Sequence, residues 1–134
     1  MNILFFLTPK IDVEYLYDDY TIRQALEKTE HHGYTAIPVI NRNGEYVATV
    51  TDGDLLRAVR NYSSEQLEKI KLKELAHHKI NHTVGINDQM ENLLQLAVNQ
   101  NFVPVINDDN IFIGIVTRKA IMQYCYDKLK NAPD

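Results

Sequence analysis

The sequence predicts an α+β chain of two β-α-β-β-α units packed face to face with pseudo-two-fold symmetry. Three features predict it: a repeat held in one register, an amphipathic helix ahead of each copy, and two β-rich runs joined by a polar turn within each copy. Tyr34-Thr35-Ala36-Ile37-Pro38-Val39-Ile40-Asn41 aligns with Gln100-Asn101-Phe102-Val103-Pro104-Val105-Ile106-Asn107. Tyr46 to Thr51 aligns with Phe112 to Thr117, and both matches carry the same offset of 66 residues (104 − 38 and 117 − 51). One register kept through two strands and their turn is hard to obtain by chance.

At the N-terminus, Ile3 to Leu7 is a short apolar run followed at once by Pro9 and Lys10. No basic segment precedes it, and a membrane span needs about 20 apolar residues. It reads as a terminal strand or turn docked on the core. Thr21 to His32 follows, with Ile22, Ala25, Leu26 and Thr29 at helical spacing; its counterpart is Asp88 to Gln100, with Met90, Leu93, Leu94, Ala97 and Val98. Leu26 lies 12 residues before Pro38 and Leu93 lies 11 before Pro104, so one residue is expected to be missing from the second copy, the counterpart of Gly33.

The polar turns are Asn41 to Glu45 and Asn107 to Asn110, and each pair of β-rich runs reads as a hairpin. Second helices start at Thr51 and Thr117, covering Asp52 to Arg60 and Arg118 to Lys130. Between the copies, Ser63 and Ser64 offer an N-cap and Glu65 to Ala76 reads as a linker helix with Leu67, Ile70 and Leu75 as buried positions, although Ser64-x-x-Leu67 is no capping box. A strand near Thr83 to Ile86 opens the second copy. The domain reading is one module over 1–134, with a first motif at about 9–61, a linker helix at about 63–77 and a second motif at about 78–130. Each unit of about 60 residues is small for a free-standing core.

With 134 residues, 45% of them hydrophobic, the chain suits one compact domain. The net charge is −4 and the two signs are interspersed, which disfavours a general nucleic-acid binder, since such proteins cluster Lys and Arg against phosphates. Cys125 is the single cysteine, so an intramolecular disulfide is impossible and a reducing cytoplasm fits.

The order of strand, helix, x-x-Pro-Val strand, second strand and Thr at a helix start resembles the CBS domain, present twice as in a Bateman module. The resemblance runs from about Pro9 to Leu129, and Gly33-Tyr34-Thr35-Ala36-Ile37-Pro38-Val39 is similar to stand-alone bacterial members, some of which bind cyclic di-AMP. It implies a regulatory module whose ligand is an adenine nucleotide such as AMP, ATP or cyclic di-AMP. It also implies a base held against Tyr34, Thr35, Ala36, Ile37 and Pro38 and a ribose held by Thr51 and Asp54. An aspartate can accept from both ribose hydroxyls, and a helix N-terminus favours a phosphate.

The second copy reads Thr117-Arg118-Lys119-Ala120, so its carboxylate position is Ala120. A weaker second cleft is expected, lined by Asn101, Phe102, Val103 and Thr117, with Arg118 a candidate phosphate ligand.

Plain structural roles compete with each of these. Thr51-x-x-Asp54 is also the pattern of a capping box, and the two roles are compatible. Arg118 also reads as a solvated surface residue, and Tyr34 as an edge of the core. Of the histidines His31, His32, His77, His78 and His82, only His78 and His82 are spaced i,i+4, in a segment read as loop, so no metal site is expected. Asp18 and Asp19 read as loop or helix-entry residues, not a catalytic pair. No Gly-rich phosphate loop, nucleophile elbow or metal motif is present, so no enzyme is expected.

The expectation is a cytoplasmic homodimeric sensor without a catalytic cofactor, acting on a separate protein partner, with no nucleic acid and no membrane. The alternative is a constitutive dimeric scaffold that binds no ligand.

Overall fold

The computed structural model describes residues 1–32, 36–75 and 80–131. It is a mixed α+β structure with two sheets, and the chain divides into two compact units, Glu14–Ile80 and Met1–Val13 together with Asn81–Asp134.

In the first unit, β2 (Leu16–Tyr17) runs parallel to β3 (Ala36–Ile40), which pairs antiparallel with β4 (Tyr46–Thr51). α1 (Ile22–His32) links β2 to β3, and α2 (Asp52–Asn61) follows β4 without a break. β-branched residues suit the pleated strands, and the sheet side chains Ile37, Val39 and Val50 meet Ile22, Ala25, Leu55 and Ala58 of the helices in one core. Burying each Val, Leu or Ile fully contributes about 1.5–3 kcal/mol.

The second unit repeats this design. β5 (Val84–Gly85) is parallel to β6 (Phe102–Ile106), which pairs with β7 (Phe112–Thr117); α4 (Met90–Asn99) and α5 (Arg118–Lys130) fill the helical places. The repeat extends to irregularities. Both hairpins shift register at the same point, between Val39 and Ile40 and between Val105 and Ile106.

In the turns, Asn41 Oδ1 accepts from the backbone of Asn43 and Glu45, as Asn107 Oδ1 does from Asp109 and Ile111. The left-handed position is Gly44 (φ 88°) in one turn and Asn110 (φ 64°) in the other, the two residue types that tolerate it best.

Two expectations are corrected. The second copy is shorter by two residues, not one: Leu16 lies 23 positions before its partner Val39, whereas Val84 lies 21 before Val105. By this register Ala25, not Leu26, is the counterpart of Leu93, and both are fully buried.

The linker helix is also shorter than 65–76. α3 covers Ser64–Lys69, and its N-cap is Ser63, one of the two serines expected there, which forms a capping box with Gln66. It stops because the following backbone is engaged elsewhere: Ile70 O accepts from Ile22 N–H, Leu72 N–H donates to Tyr20 O, and Lys73 N–H to Asp18 O. Leu67, Ile70 and Leu75 do pack on the core, the last two from beyond the end of α3, on either side of a short 3-10 turn at Leu72–Glu74.

The N-terminal run is a turn docked on a core, as expected, and the core is that of the second copy. Ile3–Phe6 forms a 3-10 turn that buries Ile3 and Phe6 with Val84, Leu93 and Val105, and β1 (Thr8–Pro9) pairs antiparallel with β7. The contact needs a glycine at Gly114, where a Cβ would stand 2.2 Å from Thr8 O.

Candidate functional site

The register of the first hairpin sets Ala36 opposite Thr51 and Ile37 opposite Val50. Residues proposed for a base and residues proposed for a ribose therefore meet at one end of one sheet, where β4 passes into α2. Ala36 is half-buried, Ile37 is buried in the core, and Pro38 is buried opposite Thr49. Tyr34 and Thr35 lie outside the described residues.

Thr51 has extended backbone and caps α2: its Oγ accepts from Asp54 N–H at 3.1 Å, and Asp54 Oδ2 accepts from Thr51 N–H at 3.0 Å. The capping box is thus formed. Asp54 Oδ1 accepts from Arg57 Nη2, and the Asp54 side chain is only 9% exposed. Each carboxylate oxygen has one donor, and a carboxylate offers about four acceptor positions, so Asp54 retains capacity for further donors. Asp52 and Asp54 both stand in the first turn of α2, where they already answer its positive end. That favours hydroxyl donors over a phosphate at this terminus, contrary to the phosphate preference the bare helix suggests.

In the second unit Phe102 stands opposite Thr117, and Thr117 Oγ accepts from Ala120 N–H at 3.0 Å. The cap is kept and its reciprocal half is lost, because Ala120 has no acceptor. Phe102 and Val103 are buried and Asn101 is exposed.

Arg118 is neither a free surface residue nor aimed only at solvent. Its Nε donates to Ala97 O at 2.8 Å and its Nη2 to Val98 O at 3.2 Å, so its cation sits on the last carbonyls of α4, the negative end of that helix.

Several polar residues with clear roles were not singled out from the sequence. Arg57 was legible in the i,i+3 spacing Asp54-x-x-Arg57. Gln100 and Asn81, both buried, had no sequence signal. Gln100 Oε1 accepts from His82 N–H at 2.9 Å, and Gln100 Nε2 donates to His82 O at 3.0 Å and Phe102 O at 3.2 Å.

Asp19 of the helix entry takes Arg42 through two bonds of 2.8 and 2.9 Å, with the guanidinium 3.7 Å from the centre of the Tyr17 ring. Arg42 holds the Asp19 carboxyl below its ordinary range. Burial, followed by the hydrogen bond to Tyr17, pushes the Tyr15 hydroxyl up.

His77 and His78 lie outside the described residues, and no group of three or more metal-ligating side chains occurs among the described ones. Nor, among them, is any helix long and apolar enough to cross a membrane.

The cyclic di-AMP receptor B of Bacillus subtilis (strain 168) is 27% identical over 95 residues, which cover 68% of this chain and 63% of that protein. The chain spans less than two thirds of the length of the curated relatives it matches. Among solved structures, CbpB in complex with c-di-AMP is similar in fold, with a TM-score of 0.88 at 22% identity over 98% of this chain and 88% of that one. CBSX2 in complex with AMP gives a TM-score of 0.74 at 24% identity over 97% and 98% of the two chains. Residues 7–61 and 72–127 each match the CBS domain, so the two structural repeats are two copies of one motif and the chain belongs to the CBS domain family.

Proposed function

We propose that this chain is a regulatory module that binds an adenine nucleotide, AMP, ATP or cyclic di-AMP, and passes the bound state to a separate protein without catalysing a reaction. The observation that carries the reading is the junction of β3, β4 and α2, where Ala36 faces Thr51 and the largely buried Asp54 keeps acceptor capacity. Names support the ligand class: a curated relative is a cyclic di-AMP receptor, and structures of similar fold hold c-di-AMP and AMP.

Tyr34, Thr35, Ala36, Ile37 and Pro38 would flank the base, with Thr51 and Asp54 taking the ribose hydroxyls. Arg118 is assigned to a phosphate through guanidinium N–H groups other than the two on the α4 carbonyls. Asn101, Phe102, Val103 and Thr117 would form a weaker second site lacking a carboxylate. Ligand acts by population shift, stabilising the state that it binds.

The module is proposed to be cytoplasmic and homodimeric. On the second helices, Leu55 and Ile121 are buried within their own units. Leu56 and Val59 on α2 and Met122, Tyr126 and Leu129 on α5 remain exposed, and the expected mass in light scattering is that of two chains.

Calorimetry with AMP, ATP and cyclic di-AMP tests the site. Asp54→Ala is expected to weaken binding about 10- to 150-fold, the worth of a hydrogen bond to a charged group. A 2′-deoxy ligand should bind about 10-fold or more weakly. Unchanged affinity in folded Asp54→Ala would leave Asp54 as a cap alone.

A further inference from the structure

In the second unit, the side chain of Gln100 forms a closed pair with the backbone of one residue. Its Oε1 accepts from His82 N–H at 2.9 Å and its Nε2 donates back to His82 O at 3.0 Å. The same Nε2 reaches Phe102 O at 3.2 Å, which also accepts from Asn81 Nδ2 at 3.4 Å. Gln100 is 5% exposed, so this amide is built in. It sits at the C-cap of α4, directly ahead of Asn101, Phe102 and Val103.

A donor beside an acceptor is also what the edge of adenine presents, with N6–H next to a ring nitrogen, which is why side-chain amides and adenine pair in two-bond fashion. The N–H and C=O of His82 offer the complementary pattern, and Gln100 fills it.

We propose that Gln100 is an internal occupant of an adenine-reading backbone site at His82, and that this, in addition to the missing carboxylate at Ala120, keeps the second unit from taking a base. Gln100 is then the residue that sets the number of bases bound per chain. The inference rests on the adenine-nucleotide reading above, but its readout is separate, because it is followed at His82 and not at Thr51 and Asp54.

The test is adenosine titration of the full chain, watched amide by amide in 15N-resolved spectra, for the parent, Gln100→Ala and Gln100→Glu. The glutamate variant keeps the acceptor for His82 N–H but sets a carboxylate oxygen against the carbonyls of His82 and Phe102, acceptor against acceptor, so it should leave the site without a large cavity. In either folded variant, the His82 and Phe102 amides are expected to shift saturably with about a 2- to 10-fold lower Kd than in the parent, the worth of one neutral hydrogen bond no longer displaced. N6,N6-dimethyladenosine, which lacks the N6–H donor, should not produce these shifts.

Two results would overturn the proposal. One is a His82 amide that stays unmoved by adenosine in both variants, which would leave Gln100 as an ordinary strand-end tie. The other is equal shifts with the dimethyl compound. A parent whose Thr51 and Asp54 amides ignore every adenine nucleotide would sink the proposed function, while the His82 response of the variants would still decide this inference.

Discussion

At residue scale, Asp54 shows why a motif must be read with its neighbours. The carboxylate closes the first turn of α2, pairs with Arg57, and has acceptor positions left over. Capping and ligand binding are therefore separable by measurement, since removing a cap costs stability while removing a ribose acceptor costs affinity. Arg42 and Asp19 give a second residue-scale case. Their two-bond pair holds the Asp19 carboxyl low, and a depressed carboxyl contributes stability above its ordinary pKa that is lost as pH falls through the lowered value. Arg42→Ala is expected to return the Asp19 titration, followed by 13C carboxyl shifts, upward to the ordinary carboxylate range. A midpoint unmoved by the substitution would show that Arg42 is not the cause. Thr51 and Asp54 were legible because the repeat marks their place and Ala120 marks the difference. Arg42 with Asp19 was not legible: 23 residues separate them, and only the parallel pairing of β2 with β3, which sets Tyr17 beside Ile40, brings them together.

At the scale of elements, local chemistry predicted the hairpins and second helices closely, because turn asparagines, β-branched runs and N-cap threonines act over a few residues. α5 spans the expected Arg118–Lys130, and α2 extends the expected 52–60 by one residue. What failed was set by distant partners. α3 ends at Lys69 because the next residues bond to Asp18, Tyr20 and Ile22, which no periodicity shows. The docking of β1 on β7 likewise joins residues about 106 positions apart, with the glycine at Gly114 as its only trace. Gly114→Ala would drive a Cβ to 2.2 Å from Thr8 O, and something must shift. The variant is expected to lose more than about 1 kcal/mol in urea unfolding, the cost exceeded when a side chain enters an incompatible glycine site. It should also expose Thr8 and the 3-10 turn to hydrogen exchange. Parent-like stability and exchange would mean that β1 contributes little to the second unit.

For the whole molecule, the composition and the repeat were enough to place the chain in an α+β class with two copies of one motif. They could not show that the first 13 residues complete the second unit, because that pairing is a property of topology. The two units share turns, bulges and caps but differ where ligand chemistry would act: Asp54 against Ala120, and a buried Gln100 in the second unit alone among the described residues. This asymmetry makes the central claim a claim about one strong adenine-nucleotide site per chain. Thermal unfolding with and without nucleotide tests it most directly, since a ligand that binds only the folded state at 100 times its Kd adds about 2.7 kcal/mol. The account predicts that AMP, ATP or cyclic di-AMP raises the Tm of the parent and, at the same concentration, raises that of Asp54→Ala by about half as much or less. A parent Tm unmoved by all three at millimolar concentration would contradict it.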